Sequence, residues 1–188
     1  MKKIALLLLL AASFSMPAFA ADGAEPIKLI SYNLRNSHGK DGDNVWMKRR
    51  HATPEMIRRE APDVFGVQEG LIDQLHYIDA ECPQYARVGV GRDDGAEKGE
   101  FMAVYYLRDR FELLDSGTFW LSETPDKVSR GWDGACNRTV TWVELKDRKS
   151  GKEFFYFNTH LDHKGKGATM LILGAILMIV CHLTFAFV

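Results

Sequence analysis

The stretch Asp63-Val64-Phe65-Gly66-Val67-Gln68-Glu69 decides the fold. It is a short apolar run that ends abruptly in a polar pair, the pattern of a buried strand that delivers Gln68 and Glu69 to the rim of a sheet. Upstream, residues 27–34 alternate apolar and polar side chains and predict a half-buried strand that ends near Asn33. Because α/β proteins place their ligands at strand ends, these three polar residues are candidates for one site.

The sequence around this stretch predicts helices first and then mostly strands. Amphipathic helices are expected over residues 45–60 and over residues 71–81. From residue 101 onward β signals dominate, and residues 149–152 predict a hairpin turn. Further strands are expected over residues 101–107, 111–121, 138–145 and 154–159. The predicted fold class is therefore α/β, with packed sheets flanked by helices.

The composition excludes several classes of protein. The chain has 188 residues, of which 46% are hydrophobic and 26% are charged, and this suits one domain with a real core. A disordered tail and a disulfide-dense miniprotein are excluded. A formal charge of −1, from 24 basic and 25 acidic residues, also excludes a polybasic protein that wraps nucleic acid.

The first twenty residues have the pattern of an export signal. Lys2 and Lys3 form a basic start, residues 4–12 are apolar, and Ala18-Phe19-Ala20 predicts cleavage after Ala20. An uncleaved anchor is the weaker alternative because the apolar run is too short to span a bilayer. Cleavage would leave 22 basic and 25 acidic residues, a net charge of −3, and would place the protein in the periplasm or outside the cell.

Residues 167–188 form an apolar tail that contains no Asp, Glu, Lys or Arg. Residues 170–188 are long and apolar enough for a transmembrane helix, which would anchor the protein to a membrane. The positive charges that should follow such a helix instead precede it, at Lys164 and Lys166. A core helix that is cut short and a tail from a truncated or frame-shifted gene are the other interpretations.

The cysteines say little about function. An oxidising compartment would permit a disulfide between Cys82 and Cys136, but no spacing motif demands one. The sequence contains neither a CxxC nor an HExxH pattern, so a structural zinc site is not expected.

A third polar group follows the last predicted strand, in Asn158-Thr159-His160-Leu161-Asp162-His163. The carboxylate of Glu69 and the amide oxygen of Asn33 are hard ligands that suit Mg²⁺. A nearby histidine can hydrogen-bond a phosphoryl oxygen, and Arg138 offers a planar, bidentate phosphate partner. Each residue taken alone is more often a capping or loop-bracing group, so the argument depends on their combination.

In their order along the chain these motifs are specific. The segments Ser31-Tyr32-Asn33-Leu34-Arg35, Pro62 to Glu69 and Asn158 to His163 resemble the endonuclease/exonuclease/phosphatase superfamily, the deoxyribonuclease-I-like fold. Residues 89–95, 117–122 and 136–139 look like a secreted bacterial branch of it. The resemblance covers residues 27–166 and implies a four-layered α/β-sandwich with two central sheets. It also implies a phosphoesterase that depends on Mg²⁺ or Mn²⁺.

The resemblance implies a role for each site residue. Glu69 corresponds to the metal-binding carboxylate, and Asn33 to the amide that orients a metal-bound water or a phosphate oxygen. His160 matches the histidine that contacts the scissile phosphate, and Arg138 matches a second phosphate contact with a part in catalysis.

The remaining motif residues are assigned more loosely. Asn158 is expected to bind substrate and Asp162 to take part in catalysis, whereas His163 is expected at most to brace the loop. Trp46 and Arg49 fit the family's first helix, where we expect them to seat that helix and not to contact substrate.

The resemblance also implies motifs that this sequence lacks. The family reaction uses a later Asp-x-Asn motif and a terminal Asp-His pair, and neither follows Asp162. The expectation is therefore a partial sandwich whose second half is incomplete and whose phosphoesterase activity is impaired. A catalytically silent, membrane-tethered phosphate-binding domain and a nonfunctional truncated product are the alternatives. The substrate stays open among nucleic acids, inositol phosphates, lipid headgroups and other phosphoesters.

Overall fold

The structure is a computed structural model, and it describes residues 25–162 and residue 164. The predicted export signal over residues 1–20, the apolar tail over residues 167–188 and His163 lie outside these described residues. No helix among the described residues has the length and apolarity needed to cross a membrane.

The described residues alternate strands and helices in the first half and contain only strands in the second. The strands are β1 Leu29–Asn33, β2 Val64–Gln68, β3 Tyr85–Val88, β4 Val104–Leu107, β5 Phe111–Trp120, β6 Thr139–Asp147 and β7 Glu153–Thr159. The helices are α1 Trp46–Arg49, α2 Ala52–Glu60 and α3 Ile72–Glu81, with a short 3-10 turn at Gly42–Asn44.

The strands form two sheets. The first has the order β1-β2-β4-β3, in which β1 and β2 are parallel and the other neighbours are antiparallel. The second has the order β5-β6-β7 and is antiparallel throughout. In the parallel pair Asn33 lies opposite Gln68, so both chains leave the sheet at the same edge. This register sets the position of the candidate site.

Two apolar clusters hold the layers together. One lies between the helices and the first sheet, where the Phe65 and Tyr105 rings stack with centroids 4.6 Å apart. The other lies between the two sheets and includes Val104 from the first and Val143 from the second. Because side chains alternate along β2 and β4, each strand contributes to both clusters. The α/β class and the two packed sheets are confirmed, and the described residues supply three of the four expected layers.

The predicted helix over residues 45–60 is two helices, α1 and α2, with Arg50 and His51 between them. Pro54 explains the break. A proline has no backbone N–H, and its ring clashes with the carbonyl of the residue four positions earlier, here Arg50. The chain therefore begins a new helix with Pro54 in its first turn. The predicted helix over residues 71–81 is confirmed as α3.

Strand β3 was missed by the sequence prediction, which placed no strand between residues 82 and 100. It has four residues and lies at the edge of the first sheet. Its Arg87 forms an ion pair with Asp79 of α3 at 2.9 Å. A short edge strand that contains a charge has almost no apolar periodicity, and this is why the sequence pattern did not predict β3.

The two described cysteines are free thiols, with Cys82 buried and Cys136 partly exposed. Burial raises the pKa of the Cys82 thiol. The disulfide that the sequence permitted is therefore not formed in this structure.

Candidate active site

Asn33 and Glu69 meet at the edge where β1 and β2 both end. Asn33 Nδ2 donates to Glu69 Oε1 at 2.9 Å, and Asn33 Oδ1 accepts the amide N–H of Arg35 at 2.9 Å. Glu69 has a positive φ of 60°, in the left-handed region that few non-glycine residues adopt. Such conformations concentrate at functional sites, and this one turns the chain directly after the buried strand β2.

The second carboxylate oxygen of Glu69 has no hydrogen-bond partner. Glu69 Oε2 is buried and makes no hydrogen bond with any described residue. A buried carboxylate oxygen without a partner is costly, so this atom fits a metal ion that would occupy it. The described residues contain no group of three or more His, Cys, Asp or Glu side chains that could hold a metal. Among them, a metal would depend on Glu69 and the adjacent amide of Asn33, with water or substrate oxygens as further ligands.

His160 follows β7 and faces the same site. Its Nε2 lies 3.9 Å from Glu69 Oε1, and its Nδ1 lies 3.4 Å from Nη1 of Arg138. Burial lowers the pKa of the imidazole, and the Arg138 cation lowers it further, while the Glu69 carboxylate opposes both effects. The imidazole is therefore neutral at neutral pH.

Arg138 and Asp162 form a buried ion pair behind His160. The register of β6 and β7, with Val140 opposite Thr159, brings the chain before β6 next to the chain after β7. Arg138 Nε lies 3.3 Å from Asp162 Oδ2, and the arginine is only 6% exposed. The pair is thus packed inside the protein, and its contact with the site runs through His160.

Asn158 lies away from the site, between the two sheets, and is 4% exposed. Its Nδ2 donates to the carbonyls of Val67 and Ala103, both at 2.8 Å, and its Oδ1 accepts from Gln68 Nε2 at 2.6 Å. All of its donors and its acceptor are therefore used inside the protein. The substrate contact predicted for Asn158 finds no support in this position, where the side chain instead holds the sheets together.

Arg92 and Glu100 are neighbours of the site that the sequence analysis gave no role. Glu100 accepts hydrogen bonds from Asn36 Nδ2 at 3.0 Å and from Arg92 Nη1. Both charges act on the imidazole of His160: Glu100 raises its pKa and Arg92 lowers it. The signal in the sequence was a pair of opposite charges that flank the Gly-rich loop of residues 93–99.

Trp46 and Arg49 seat the first helix, as predicted. Arg49 donates to three backbone carbonyls, those of Leu34, Arg35 and Asn44, and its guanidinium lies 5.2 Å from the centre of the buried Trp46 ring. Three histidines away from the site are exposed: His38, His51 and His76.

Gln74 braces the loop after β1 from the opposite side and was also missed. It is fully buried in α3, and its Nε2 donates to the carbonyl of Arg35 at 3.0 Å. Its Oε1 accepts the amide N–H groups of Ser37 at 2.9 Å and Leu71 at 3.1 Å. One side chain thus joins the segment that follows Asn33 to the segment that follows Glu69.

Together these residues form a polar site whose chemistry suits a metal ion and a phosphoryl group. Glu69 offers an oxygen without a partner, Asn33 orients that carboxylate, and His160 is a neutral group beside it. Hard oxygen ligands beside a hydrogen-bonding imidazole suit a divalent cation together with an anionic oxygen.

Comparison with known proteins connects this fold and site to a family. No family model matches the chain. A curated relative, the uncharacterized protein L388 of Acanthamoeba polyphaga mimivirus, is 26% identical over 124 residues, which are 62% of this chain and 46% of the relative. The chain therefore spans about half the length of that relative.

Two solved structures are much more similar. An endonuclease/exonuclease/phosphatase from Bacteroides vulgatus is 40% identical with a TM-score of 0.76, over 82% of this chain and 61% of that one. A mannosyl-6-phosphatase from Bacteroides thetaiotaomicron is 38% identical with a TM-score of 0.77, over 82% of this chain and 60% of that one. The chain spans about three-fifths of the length of each. With the two-sheet fold and this identity over four-fifths of its residues, the chain belongs to the endonuclease/exonuclease/phosphatase family.

Proposed function

We propose that this protein binds Mg²⁺ or Mn²⁺ at Glu69 and hydrolyses a phosphoester at that site. The observation that carries the proposal is the buried Oε2 of Glu69, which has no partner among the described residues although Oε1 of the same carboxylate is held by Asn33. Leaving a buried charged acceptor unsatisfied costs about 1–3 kcal/mol or more. A site that tolerates this cost is suited to a ligand that removes it.

Each site residue has a separate proposed role. Glu69 would hold the metal, with Asn33 fixing the orientation of the carboxylate. A bound divalent ion would neutralise charge on the phosphoryl group and lower the pKa of a bound water. His160 lies beside Glu69, where it can hydrogen-bond a phosphoryl oxygen. The buried Arg138 adds positive charge behind the imidazole.

A phosphomonoester is the first substrate class to test. The similar Bacteroides thetaiotaomicron protein is a mannosyl-6-phosphatase, and this supports a sugar phosphate as the initial probe. A phosphodiester, including nucleic acid, is the second class, because the family name covers both reactions.

We expect slow turnover from this chain. We assign a single described carboxylate, Glu69, to the metal, and the described residues contain no group of three His, Cys, Asp or Glu side chains that could hold one. A metal held by few protein ligands binds weakly, and loss of single catalytic groups commonly lowers kcat by about 10³-fold. Binding of Mg²⁺ and phosphate without hydrolysis would identify the chain as a silent phosphate-binding domain.

The predicted export signal would place this activity outside the cytoplasm. Cleavage after Ala20 would give a mature chain that begins at Ala21. Mass spectrometry of the protein recovered from the periplasm or medium would establish the mature N-terminus. Extraction with and without detergent would show whether the tail of residues 167–188 attaches the chain to a membrane.

The experiment that tests the proposed function compares the full chain with Glu69→Gln. We expect Mg²⁺ to raise the melting temperature of the wild type and to support hydrolysis of a sugar phosphate, however slow. Glu69→Gln should abolish the Mg²⁺ shift and lower any hydrolysis by about 10²-fold or more. Glu55→Gln, at an exposed position of α2, is the matched control and should change neither. A Mg²⁺ shift that survives in Glu69→Gln would refute the proposed metal site.

A further inference from the structure

We propose that Arg138 and Asp162 are a positioning pair that fixes His160 in the tautomer with its proton on Nε2. His160 would then act at the site as a neutral hydrogen-bond donor. The tautomer assignment is independent of the proposed function. Only the identity of the acceptor, a phosphoryl oxygen, rests on that function.

The tautomer follows from the group that faces Nδ1. Arg138 Nη1 lies 3.4 Å from Nδ1 of His160. A guanidinium carries only donors and stays protonated in proteins, so the imidazole nitrogen that it faces must be the acceptor. A neutral imidazole has one N–H, which is then left on Nε2. A proton on Nδ1 would set two N–H groups against each other.

Asp162 fixes the guanidinium in that position. Its side chain has no solvent exposure, and its Oδ2 lies 3.3 Å from Arg138 Nε. The carboxylate is itself held by the backbone, since Oδ2 accepts the amide N–H of Ala135 at 2.9 Å and Oδ1 accepts that of Lys164 at 2.8 Å. The chain from Asp162 through Arg138 to His160 is therefore anchored to the backbone at its far end.

The opposite ring nitrogen faces the metal carboxylate. Nε2 of His160 lies 3.9 Å from Glu69 Oε1, which is longer than a hydrogen bond. The Nε2 proton is thus directed to the site without being used by Glu69, and a phosphoryl oxygen is an acceptor of the right kind. In the other tautomer Nε2 would present a lone pair and repel the same oxygen.

The location of Arg138 suits the positioning of His160 better than direct contact with substrate. The side chain is 6% exposed, and its Nη1 faces His160. We therefore infer that Arg138 and Asp162 act through His160, in the way that an outer residue orients a ligand.

The test is a direct measurement of the tautomer by NMR. The full chain, labelled with ¹⁵N-histidine, contains six histidines, and His160→Gln assigns the signal of His160 by its disappearance. Long-range ¹H–¹⁵N correlations at neutral pH, without metal or substrate, should show an unprotonated Nδ1 and a protonated Nε2. A protonated Nδ1 in the wild type would overturn the proposal.

Two variants test the positioning pair. Arg138→Gln presents an amide that can turn either its oxygen or its nitrogen to the ring, so we expect a mixture of tautomers. Asp162→Asn keeps the side-chain size and releases the guanidinium, with the same expected mixture, and it serves if Arg138→Gln fails to fold. If both variants fold and His160 keeps a pure Nε2 tautomer in each, the pair does not position it. Where hydrolysis is measurable, kcat should fall about 10- to 100-fold in the variants.

The outcomes separate this inference from the proposed function. The tautomer is read in the protein without metal or substrate, so a failed hydrolysis assay leaves it intact. Conversely, an active enzyme whose His160 carries its proton on Nδ1 would refute the positioning role of Arg138 and Asp162. The proposed phosphoesterase function would be unaffected.

Discussion

Gln68 donates its side-chain N–H to Oδ1 of Asn158 at 2.6 Å, and this hydrogen bond joins the two sheets one residue before Glu69. Asn158 of β7 also donates to the carbonyls of Val67 and Ala103 in the first sheet. The residue before Glu69 and the residue two before His160 are therefore tied together. The spacing between Glu69 and His160 depends on this contact.

Asn158→Ala should destabilise the protein strongly. The substitution removes the Asn158 donor from the carbonyls of Val67 and Ala103 and the Oδ1 acceptor from Gln68 Nε2, although the Ala103 carbonyl still accepts the amide N–H of Val67. Each buried group that is left unsatisfied costs about 1–3 kcal/mol. We expect a loss of about 3 kcal/mol or more in the free energy of unfolding, measured by urea denaturation. Asn44→Ala, at an exposed loop position, is the control and should change stability by less than about 0.5 kcal/mol. Equal stability of the two variants would contradict the role given to Asn158.

Gly66→Ala tests the close approach of the sheets at the same place. A Cβ atom on Gly66 would lie 2.7 Å from Cγ of Asn158 and 2.9 Å from the hydroxyl of Tyr156. We expect a loss of about 1–3 kcal/mol, because overpacking forces neighbouring groups to move. In an Asn158→Ala background the same substitution should cost less, since one of the two clashing groups is gone. Additive losses in the double variant would show that the two positions do not interact.

The sequence predicted the parts of the site that sit at strand ends. Asn33, Glu69 and His160 follow strands with clear periodicity, and the structure brings all three to one edge. Their catalytic roles stay predictions. The structural role of Asn158 could not be predicted in this way. Alternation along β7 does not reveal that the Asn158 side chain donates to backbone carbonyls outside its own sheet. Contacts between sheets depend on packing that no local pattern encodes.

Buried polar residues on helices are also hidden from sequence patterns. Gln74 lies at helical spacing from Leu71 and Ile78, on the apolar face of α3, where a polar side chain gives no sign in the sequence of the partners it will find. It is fully buried, and its hydrogen bonds are made inside the protein. Its partners are Arg35 and Ser37 in the loop after β1, together with Leu71 at the start of its own helix. The break at Pro54 was, in contrast, readable from the sequence, because a proline in a helix interior removes a hydrogen bond.

Asn33→Asp should make stability depend on pH and on Mg²⁺. The new carboxylate would lie about 3 Å from Glu69 Oε1, as the present amide does. Two like charges at this distance raise the pKa of one of them, so stability is retained at low pH and lost as the pH rises through that raised value. Thermal unfolding at several pH values, with EDTA or Mg²⁺, measures the effect. Asn33→Ala lacks the added charge, so its stability should not fall as the pH rises through that value, although its Glu69 can still bind Mg²⁺. A pH profile for Asn33→Asp that matches that of Asn33→Ala would be evidence against the contact.

Asp147→Asn should lower the free energy of unfolding at neutral pH. It should also make that free energy fall less as the pH is lowered. Burial alone would raise the pKa of Asp147, but the Lys149 amide, which donates to Oδ1 at 2.9 Å, and Arg110 hold the pKa below its usual value. A carboxyl group with a depressed pKa stabilises the fold above its unfolded pKa of 3.8, and this contribution is lost as the pH falls through the folded value. We expect a loss of about 1–2 kcal/mol at neutral pH, typical of hydrogen bonds to a charged group.

The measurement for Asp147 is urea denaturation from neutral pH down into the acid range. The wild type and Asp147→Asn should converge as the pH falls below 3.8, because the wild-type carboxyl group is then protonated. Arg110 keeps its ion pair with Asp63 at 2.7 Å in the variant, which limits the loss. Asp126→Asn, at an exposed loop position, should follow the wild type at every pH. A constant difference between wild type and Asp147→Asn down to the lowest pH would contradict the prediction.

Gln74→Leu should destabilise the loops that hold the candidate site, although Gln74 itself does not contact Glu69 or His160. The leucine has a similar volume but removes the acceptor of the Ser37 and Leu71 amides and one donor of the Arg35 carbonyl, which still accepts from Arg49. We expect a loss of about 2–4 kcal/mol in the free energy of unfolding, and faster amide hydrogen exchange at Ser37 and Leu71 than in the wild type. Because Arg35 also donates its amide to Asn33, Mg²⁺ affinity should fall as well. Gln84→Leu, outside this network, is the matched control. Unchanged exchange at both amides would show that the loop holds its position without Gln74.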